Sequence, residues 1–204
     1  MKKVILYPGS FSPLHIGHLC LANYIVETVE TDELWFLLTP SNPFKDPKDL
    51  LPESFRAEWV AEVLKLHPKL KLSTDEFGLP EPNYTYNTLR FLSAKYPDHR
   101  FTLLAGMDSL IDLPTWYRGK ELMAHQEFLI YPRPGYDIPE DFRQRANIQI
   151  LDDVPTFEIS STEIRGMIAR GCNLPYFLTL PASHPLYRKL RDLLSEGIFG
   201  IKTE

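Results

Sequence analysis

The sequence predicts an α/β protein with a Rossmann-like parallel sheet, helices on both faces of that sheet and a small C-terminal helical appendage. Short apolar runs that end at proline or glycine predict buried strands. These runs alternate with helical periods along nearly all of the 204 residues, which is typical of a parallel sheet covered by helices. No Gly- or Ser-rich linker divides the chain. We therefore expect residues 1–204 to form one domain, with about 160–204 as its helical part.

Each element of this pattern has a local signal. Thr85 is the predicted N-cap of the third helix. Ser160 and Glu163 predict a capping box at the start of the fifth helix, and Gly171 predicts its end. The predicted strands are 3–7, 33–39, 69–74, 101–105, 127–131 and 148–151, and the predicted helices are 18–29, 53–66, 85–96, 115–125, 160–170 and 184–196.

The composition excludes several classes of protein. A net charge of −5 argues against a nucleic-acid-binding protein, whose affinity would rest on clustered Lys and Arg. Cys20 and Cys172 form no CxxC or zinc spacing, and Cys20 is expected to be a small core residue. The apolar run at the N-terminus is too short for a signal peptide, and no run reaches the roughly 18 apolar residues of a membrane span. We therefore expect a cytoplasmic protein without a membrane partner.

Unusual residues cluster where the predicted strands end. In an open α/β sheet, ligands bind beyond the carboxyl ends of the strands. Glycines, hydroxyls, histidines and cations collect in the segments 9–18, 40–45, 106–109, 133–135 and 159–165, which follow the first, second, fourth, fifth and last strands. Such residues bind anions through backbone N–H groups, hydroxyls and positive charge, so this edge is predicted to be a phosphate site.

The first of these segments, GSFSPLHIGH, carries a histidine pair. Gly9 allows the backbone to approach a ligand closely. His15 and His18 are three residues apart and therefore share one helix face, so both can donate hydrogen bonds to one polyphosphate, and Gly17 leaves room for it. Two other interpretations are a packing role and a zinc site, although a third zinc ligand is not evident nearby.

The second cluster is EISSTEIR, near the C-terminus. Ser161 and Thr162 lie in the first turn of the predicted helix, where backbone N–H groups lack helical partners. These groups and the two hydroxyls form a candidate anion cradle, with Arg165 one turn further along. The simpler interpretation is an ordinary capped helix with a surface arginine.

Together these motifs resemble the HxGH-type nucleotidylyltransferase superfamily. Four further segments are similar, in the same order, to the bacterial nicotinate-nucleotide adenylyltransferases: PSNPFK, NYTYNTLRFL, LLAGMDSLIDLPTW and YPRPGY. The resemblance covers nearly the whole chain. It implies that nicotinate mononucleotide and ATP react to give deamido-NAD and pyrophosphate, with Mg²⁺ bound mainly through the ATP phosphates and no metal-binding residues of the protein itself.

The resemblance also implies roles for single residues. His15, His18 and Arg165 are expected to be catalytic. ATP is expected to contact Gly9, Ser10, Phe11, His15, His18, Gly106, Asp108, Arg133, Ser161, Thr162 and Arg165, and the acceptor to contact Tyr84, Thr85, Met107, Trp116 and Lys45. The plain alternatives are a core Trp116, an N-capping Asp108, a solvated Lys45 and a surface Arg133.

Three residues depart from the family pattern. Pro8 removes one backbone N–H before the phosphate turn, Ser12 replaces an acidic or amide residue, and Phe44 replaces a histidine. These departures are the only support for one other function, a nucleotide-binding sensor without catalysis. Another HxGH enzyme on the same fold, such as pantetheine-phosphate adenylyltransferase, also stays open. The sequence also leaves open a homo-oligomer.

Overall fold

A six-stranded, entirely parallel sheet lies at the centre of the computed structural model, which describes residues 1–40, 50–155 and 157–195. The strands are β1 Lys2–Gly9, β2 Glu33–Leu38, β3 Leu70–Ser73, β4 His99–Gly106, β5 Glu127–Tyr131 and β6 Ile148–Ile150. The described helices are α1 Ile16–Thr28, α2 Glu53–Leu64, α3 Thr85–Lys95, α4 Met107–Asp112, α5 Gly119–His125, α6 Glu140–Arg143, α7 Ser161–Ala169, α8 Pro175–Leu178 and α9 Pro185–Ser195. The predicted parallel α/β fold is confirmed.

The strand order places a crevice in the middle of the sheet. The order is β3-β2-β1-β4-β5-β6, so the chain first builds outward from β1 in one direction and then returns to add β4 on its other side. In such sheets ligands bind at the carboxyl ends of the strands where the order reverses. That point lies here between β1 and β4.

Two apolar clusters cover the two faces of the sheet. Successive side chains of β1 point to opposite faces, so Ile5 belongs to one cluster and Leu6 to the other. The Ile5 cluster also includes Trp59 of α2 and Tyr187 of α9, both with 0% of their surface exposed. The C-terminal helices therefore share a core with the sheet.

The capping box of α7 is confirmed. The Ser160 hydroxyl accepts the Glu163 N–H at 3.1 Å, and the Glu163 carboxylate accepts the Ser160 N–H at 2.8 Å. Gly171, with a φ of +88°, follows the helix. These local signals set the position of the second predicted phosphate motif.

The predicted helix 115–125 was wrong, because its first half is not α-helical. A 3₁₀ turn covers Leu113–Thr115, and α5 begins only at Gly119. Arg118 has a φ of +52°, which interrupts the helix. A Cβ on Gly119 would lie 1.8 Å from the Leu113 carbonyl oxygen, so the two backbones touch at a place where only glycine fits.

Two smaller predictions were also wrong. Thr85 is the first residue of α3 and the N-cap is Tyr84, whose side chain makes no capping hydrogen bond. Cys20 is only half-buried and not a core residue. The short helices α4, α6 and α8 were not predicted, because four to six residues carry too little periodic signal. No helix within the described ranges is long and apolar enough to cross a membrane.

Candidate active site

A cavity of about 520 Å³ opens at the carboxyl edge of the sheet. Its wall combines the start of α1, the segment after β5 and the segment that leads into α7. The lining residues are Tyr7, His15, Gly17, His18, Leu21, Tyr131, Pro132, Arg133, Pro134, Val154, Pro155, Phe157, Glu158, Ile159, Ser160, Ser161, Thr162 and Glu163. The two predicted phosphate motifs thus meet in one cavity, as the sequence indicated.

The histidine pair is held by a capping box at the start of α1. His15 is the N-cap, and its Nδ1 accepts the Gly17 N–H at 3.2 Å. The His15 N–H in turn donates to Nδ1 of His18 at 3.3 Å. A neutral imidazole that accepts at Nδ1 carries its proton on Nε2, so a neutral His15 ring has one N–H donor. The two ring centroids are 3.8 Å apart.

His15 is neutral at neutral pH. The side chain is buried, with 4% of its surface exposed. Burial disfavours the charged imidazolium and lowers the pKa of His15 to about 4, while the charge of Glu163 opposes this shift. His15 therefore offers a hydrogen-bond donor without a positive charge.

The two motifs are joined by direct hydrogen bonds. The Ser161 hydroxyl donates to the Pro13 carbonyl oxygen at 3.0 Å. The Arg165 guanidinium donates through Nη1 to the Ser12 carbonyl oxygen at 2.6 Å. Consequently, the start of α7 is fixed against the loop that precedes α1.

Arg165 is buried rather than a surface residue, with 7% of its surface exposed. Besides Ser12, it contacts the Thr162 hydroxyl through Nη2 at 3.4 Å. It is not among the residues that line the cavity. The simpler interpretation of a surface arginine was wrong, and direct contact with phosphate stays a prediction.

The turn after β1 is shaped by Phe11. This residue has a φ of +41° and is buried. A Cβ on Gly9 would lie 2.8 Å from the Phe11 ring. The ring therefore leaves no room for a side chain at position 9. The Phe11 ring meets the His18 ring edge to face, with centroids 5.2 Å apart. Phe11 thus packs against the histidine pair, and contact of Gly9, Ser10 and Phe11 with ATP stays a prediction.

Ser12, which stands where the family pattern has an acidic or amide residue, makes a hydrogen bond with its hydroxyl. Its hydroxyl accepts the Leu51 N–H at 2.8 Å, and the side chain is buried. The departure from the family pattern therefore leaves a bonded, buried hydroxyl at this point.

Pro8 still pairs with β2 but lies beyond the last residue of β1 that pairs with β4. The Gly9 carbonyl oxygen accepts the Thr39 N–H at 3.0 Å, so Gly9 bonds toward β2. Successive residues of a parallel strand bond to opposite neighbours, so the Pro8 nitrogen faces β4. The pairing of β1 with β4 ends at Leu6 and Leu103, and Pro8 has no N–H to continue it.

Asp108 and Arg133 form an ion pair beside the cavity, with Nε and Oδ2 3.6 Å apart. Oδ1 of Asp108 is buried, and among the described residues it has no hydrogen-bond partner. A Cβ on Gly106 would lie 2.3 Å from this oxygen. Asp108 is not the N-cap of α4, which is Gly106. The buried oxygen fits a hydroxyl donor of a ligand.

Four predicted acceptor residues, Tyr84, Thr85, Met107 and Trp116, are not among the residues that line this cavity. Tyr84 stacks on Tyr117, with ring centroids 4.6 Å apart and an interplanar angle of 23°. Met107 is fully buried, and Trp116 packs at the edge of the Leu6 cluster. Lys45, like Phe44, lies outside the described residues. The role of these residues in acceptor binding stays a prediction.

Two tyrosines of the cavity were missed by the sequence analysis. Tyr7, near the end of β1, and Tyr131, the last residue of β5, line the cavity. Burial, and to a smaller extent the nearby Tyr131, raises the pKa of Tyr7 well above its usual range. The Tyr7 hydroxyl is therefore a neutral donor. Their position at strand ends was the available signal.

No group of three or more His, Cys, Asp or Glu side chains within the described ranges could hold a metal ion. The polar groups given above are imidazole and hydroxyl donors, a guanidinium and one buried carboxylate oxygen. Such a donor set fits phosphate and ribose better than a bare divalent cation.

Comparisons with known proteins place the chain among nucleotidylyltransferases. A cytidylyltransferase-like family model matches residues 6–167. Two curated relatives are named probable nicotinate-nucleotide adenylyltransferase. The one from Bacteroides fragilis is 39% identical over 92% of this chain and 90% of the relative. The one from Porphyromonas gingivalis is 43% identical over 87% of this chain and 90% of the relative.

A solved structure shares the fold. It is the Plasmodium falciparum nicotinic acid mononucleotide adenylyltransferase complexed with NaAD, at 19% identity and a TM-score of 0.76, with 100% of both chains covered. At that identity the likeness shows the fold.

Proposed function

We propose that this chain, which belongs to the cytidylyltransferase-like family and is a nicotinate-nucleotide adenylyltransferase, transfers the adenylyl group of ATP to nicotinate mononucleotide. The products are deamido-NAD and pyrophosphate. The observation that carries the proposal is the junction of the His15–His18 pair with the start of α7 around one cavity.

In the reaction, a 5′-phosphate oxygen of the mononucleotide attacks the α-phosphorus of ATP. The bond from that phosphorus to the oxygen bridging to the β-phosphate breaks, and the electron pair leaves with pyrophosphate. Charge grows on the non-bridging and leaving oxygens, so prearranged donors lower the barrier. We assign this task to the Nε2–H groups of His15 and His18 and to the Thr162 hydroxyl, with the first-turn N–H groups of α7 beside them.

The remaining predicted residues take supporting roles. Asp108 would accept a ribose hydroxyl at its buried oxygen. Arg165 would fix the Ser12 carbonyl and thereby the loop before α1, in addition to any phosphate contact. Mg²⁺ would arrive with ATP as part of the substrate, since the described side chains form no metal cage.

We assign the nicotinate group to the start of α3. Thr85 is the first helical residue there, and first-turn N–H groups without helical partners attract a carboxylate. The neutral amide of nicotinamide mononucleotide gains less from them. The nicotinate form is therefore the expected acceptor.

One acceptor-panel assay tests the proposal. The purified protein is incubated with MgATP and nicotinate mononucleotide, nicotinamide mononucleotide or phosphopantetheine, and pyrophosphate and the adenylylated product are measured. We expect the highest kcat/KM with nicotinate mononucleotide. Turnover with phosphopantetheine alone would identify the sister enzyme, and ATP binding without any turnover would identify a sensor; either outcome overturns the proposal.

A cytoplasmic location and a homo-oligomer stay predictions. Both cysteines are free thiols, which is the usual state in a reducing compartment. Cell fractionation tests the location, and light scattering of the purified protein tests the oligomeric state.

A further inference from the structure

A buried arginine outside the predicted site, Arg56 of α2, binds four backbone carbonyl oxygens. Only 2% of its surface is exposed. Its bonds run from Nε to Leu51 O at 2.9 Å, from Nη1 to Ser10 O at 2.9 Å and Thr39 O at 2.8 Å, and from Nη2 to Pro40 O at 2.8 Å. All of these partners are neutral, and burial lowers the pKa of Arg56.

The four carbonyls belong to three separate parts of the chain. Ser10 lies in the turn after β1, Thr39 and Pro40 follow β2, and Leu51 precedes α2. The planar guanidinium presents its donors in a fixed fork, whereas a lysine ammonium has three donors at one point. An arginine can therefore join all three parts at once, and a lysine at this depth cannot reach the same set.

The joined turn contacts two of the predicted catalytic residues, His18 and Arg165. Phe11, next to Ser10, supports the His18 ring at a centroid distance of 5.2 Å. The Ser12 hydroxyl binds the Leu51 N–H, and its carbonyl oxygen binds Arg165. A shift of the Ser10 carbonyl would therefore move His18 and the anchor of α7 together.

Stability alone is a weak reason for this arrangement. A buried charge is costly to desolvate, and Arg56 donates its hydrogen bonds to loop carbonyls rather than to a carboxylate. Those loops meet at the carboxyl edge of β1 and β2, beside the crevice. The bonds thus constrain the part of the molecule where geometry matters for phosphate chemistry.

We propose that Arg56 is a positioning residue for adenylyl transfer, which holds the turn Ser10–Ser12 against the end of β2 and so fixes His18 and Arg165. Its kinetic consequence rests on the proposed function. Its structural consequence, the rigidity of the turn, does not.

The test compares Arg56→Lys and Arg56→Met with Val63→Ala. Val63 lies on the same helix, is buried in the Ile5 cluster and has no part in the turn, so its truncation controls for simple loss of packing. Two backbone amides report on the turn, namely the Thr39 N–H on Gly9 O and the Leu51 N–H on the Ser12 hydroxyl. Their hydrogen exchange is measured beside that of β4, together with kcat and KM.

We expect faster exchange at Thr39 and Leu51 in both Arg56 variants, with β4 unchanged. Displacement of a reacting group by about 1 Å can cost about 100-fold in rate, so kcat should fall by roughly that factor in Arg56→Met and less in Arg56→Lys, with a smaller change in KM. Val63→Ala should keep both the exchange pattern and kcat.

Unchanged exchange at Thr39 and Leu51, or a kcat loss that Val63→Ala reproduces at equal stability, would overturn the inference. If Arg56→Met does not fold, Arg56→Lys decides. A wild-type protein without turnover would refute the proposed function, and the exchange measurement would still test the role of Arg56.

Discussion

The Ser161 hydroxyl donates a hydrogen bond to the carbonyl oxygen of Pro13, 3.0 Å away and 148 positions earlier in the chain. This bond joins the first turn of α7 to the loop that leads into α1. Since both segments line the same cavity, the bond fixes the distance between the two halves of the predicted phosphate site.

Ser161→Ala removes this tie and keeps the backbone N–H of residue 161 at the predicted phosphate site. A hydrogen bond of this kind contributes about 0.5–1.5 kcal/mol, so kcat/KM for ATP should fall by roughly threefold to tenfold. Steady-state kinetics with varied ATP measure the change. Thr28→Ala is the matched control, because it removes a hydroxyl-to-carbonyl bond within α1, from Thr28 to Tyr24. Equal effects of the two variants would contradict the role of Ser161.

His18→Ala should lower kcat strongly while the protein stays folded. Loss of one transition-state donor typically costs about 2.7–4 kcal/mol, or about 100- to 1,000-fold in rate. The measurement is kcat at saturating substrates, with the thermal midpoint as the check on folding. His125→Ala, at the end of α5, should keep normal turnover. Near-normal turnover of His18→Ala would refute the assigned role.

Because of His15, the protein should lose stability as the pH falls from about 6.5 to about 4. The first value is the ordinary pKa of histidine and the second is the lowered pKa of His15. The unfolded chain binds the proton more tightly than the folded chain, so stability is complete above about 6.5 and declines below it. At about 1.36 kcal/mol per pKa unit, the loss approaches about 3 kcal/mol.

Urea unfolding of wild type and His15→Asn across this range measures the effect. Asparagine is a good N-cap and does not titrate, so the variant should show a shallower decline. Equal slopes would mean that the buried imidazole does not control this pH dependence.

Glu76→Gln should stabilise the protein near neutral pH. Glu76 is 4% exposed, and Oε1 accepts the Thr88 hydroxyl at 2.8 Å. Burial raises the pKa of this carboxyl group, so wild-type stability falls as the pH rises from the usual glutamate value through the raised one. Glutamine keeps an acceptor for Thr88 without the charge.

We expect a gain of about 0.5–2 kcal/mol, the usual size of stabilising changes. Urea unfolding near neutral pH and at acidic pH measures it. The gain should shrink in acid, where Glu76 is protonated in both folded and unfolded chains. A loss of stability at neutral pH, or a gain independent of pH, would contradict this explanation.

Features set by neighbouring residues could be predicted from the sequence. The capping box Ser160–Glu163 and the stop at Gly171 were correct because their bonds lie within one helix turn. The strands were located correctly because buried parallel strands are continuous apolar runs. The meeting of the two phosphate motifs followed from the placement of strand ends in such a sheet.

Features set by distant contacts could not be predicted. The break before α5 depends on Gly119 touching the Leu113 carbonyl. The burial of Arg165 depends on the Ser12 carbonyl, 153 positions away, and the carbonyl partners of Arg56 come from three loops. A single sequence carries no signal for which carbonyl a long side chain will reach.

The bond between Arg165 and Ser12 has a consequence for synthesis of the protein. While the ribosome makes the chain, the loop before α1 emerges early, but its partner emerges 153 residues later. A truncated or unfinished chain would therefore lack the second half of the phosphate site, so ATP should not be retained on it. Nucleotide retention by stalled nascent chains of increasing length should appear only after α7 has left the exit tunnel.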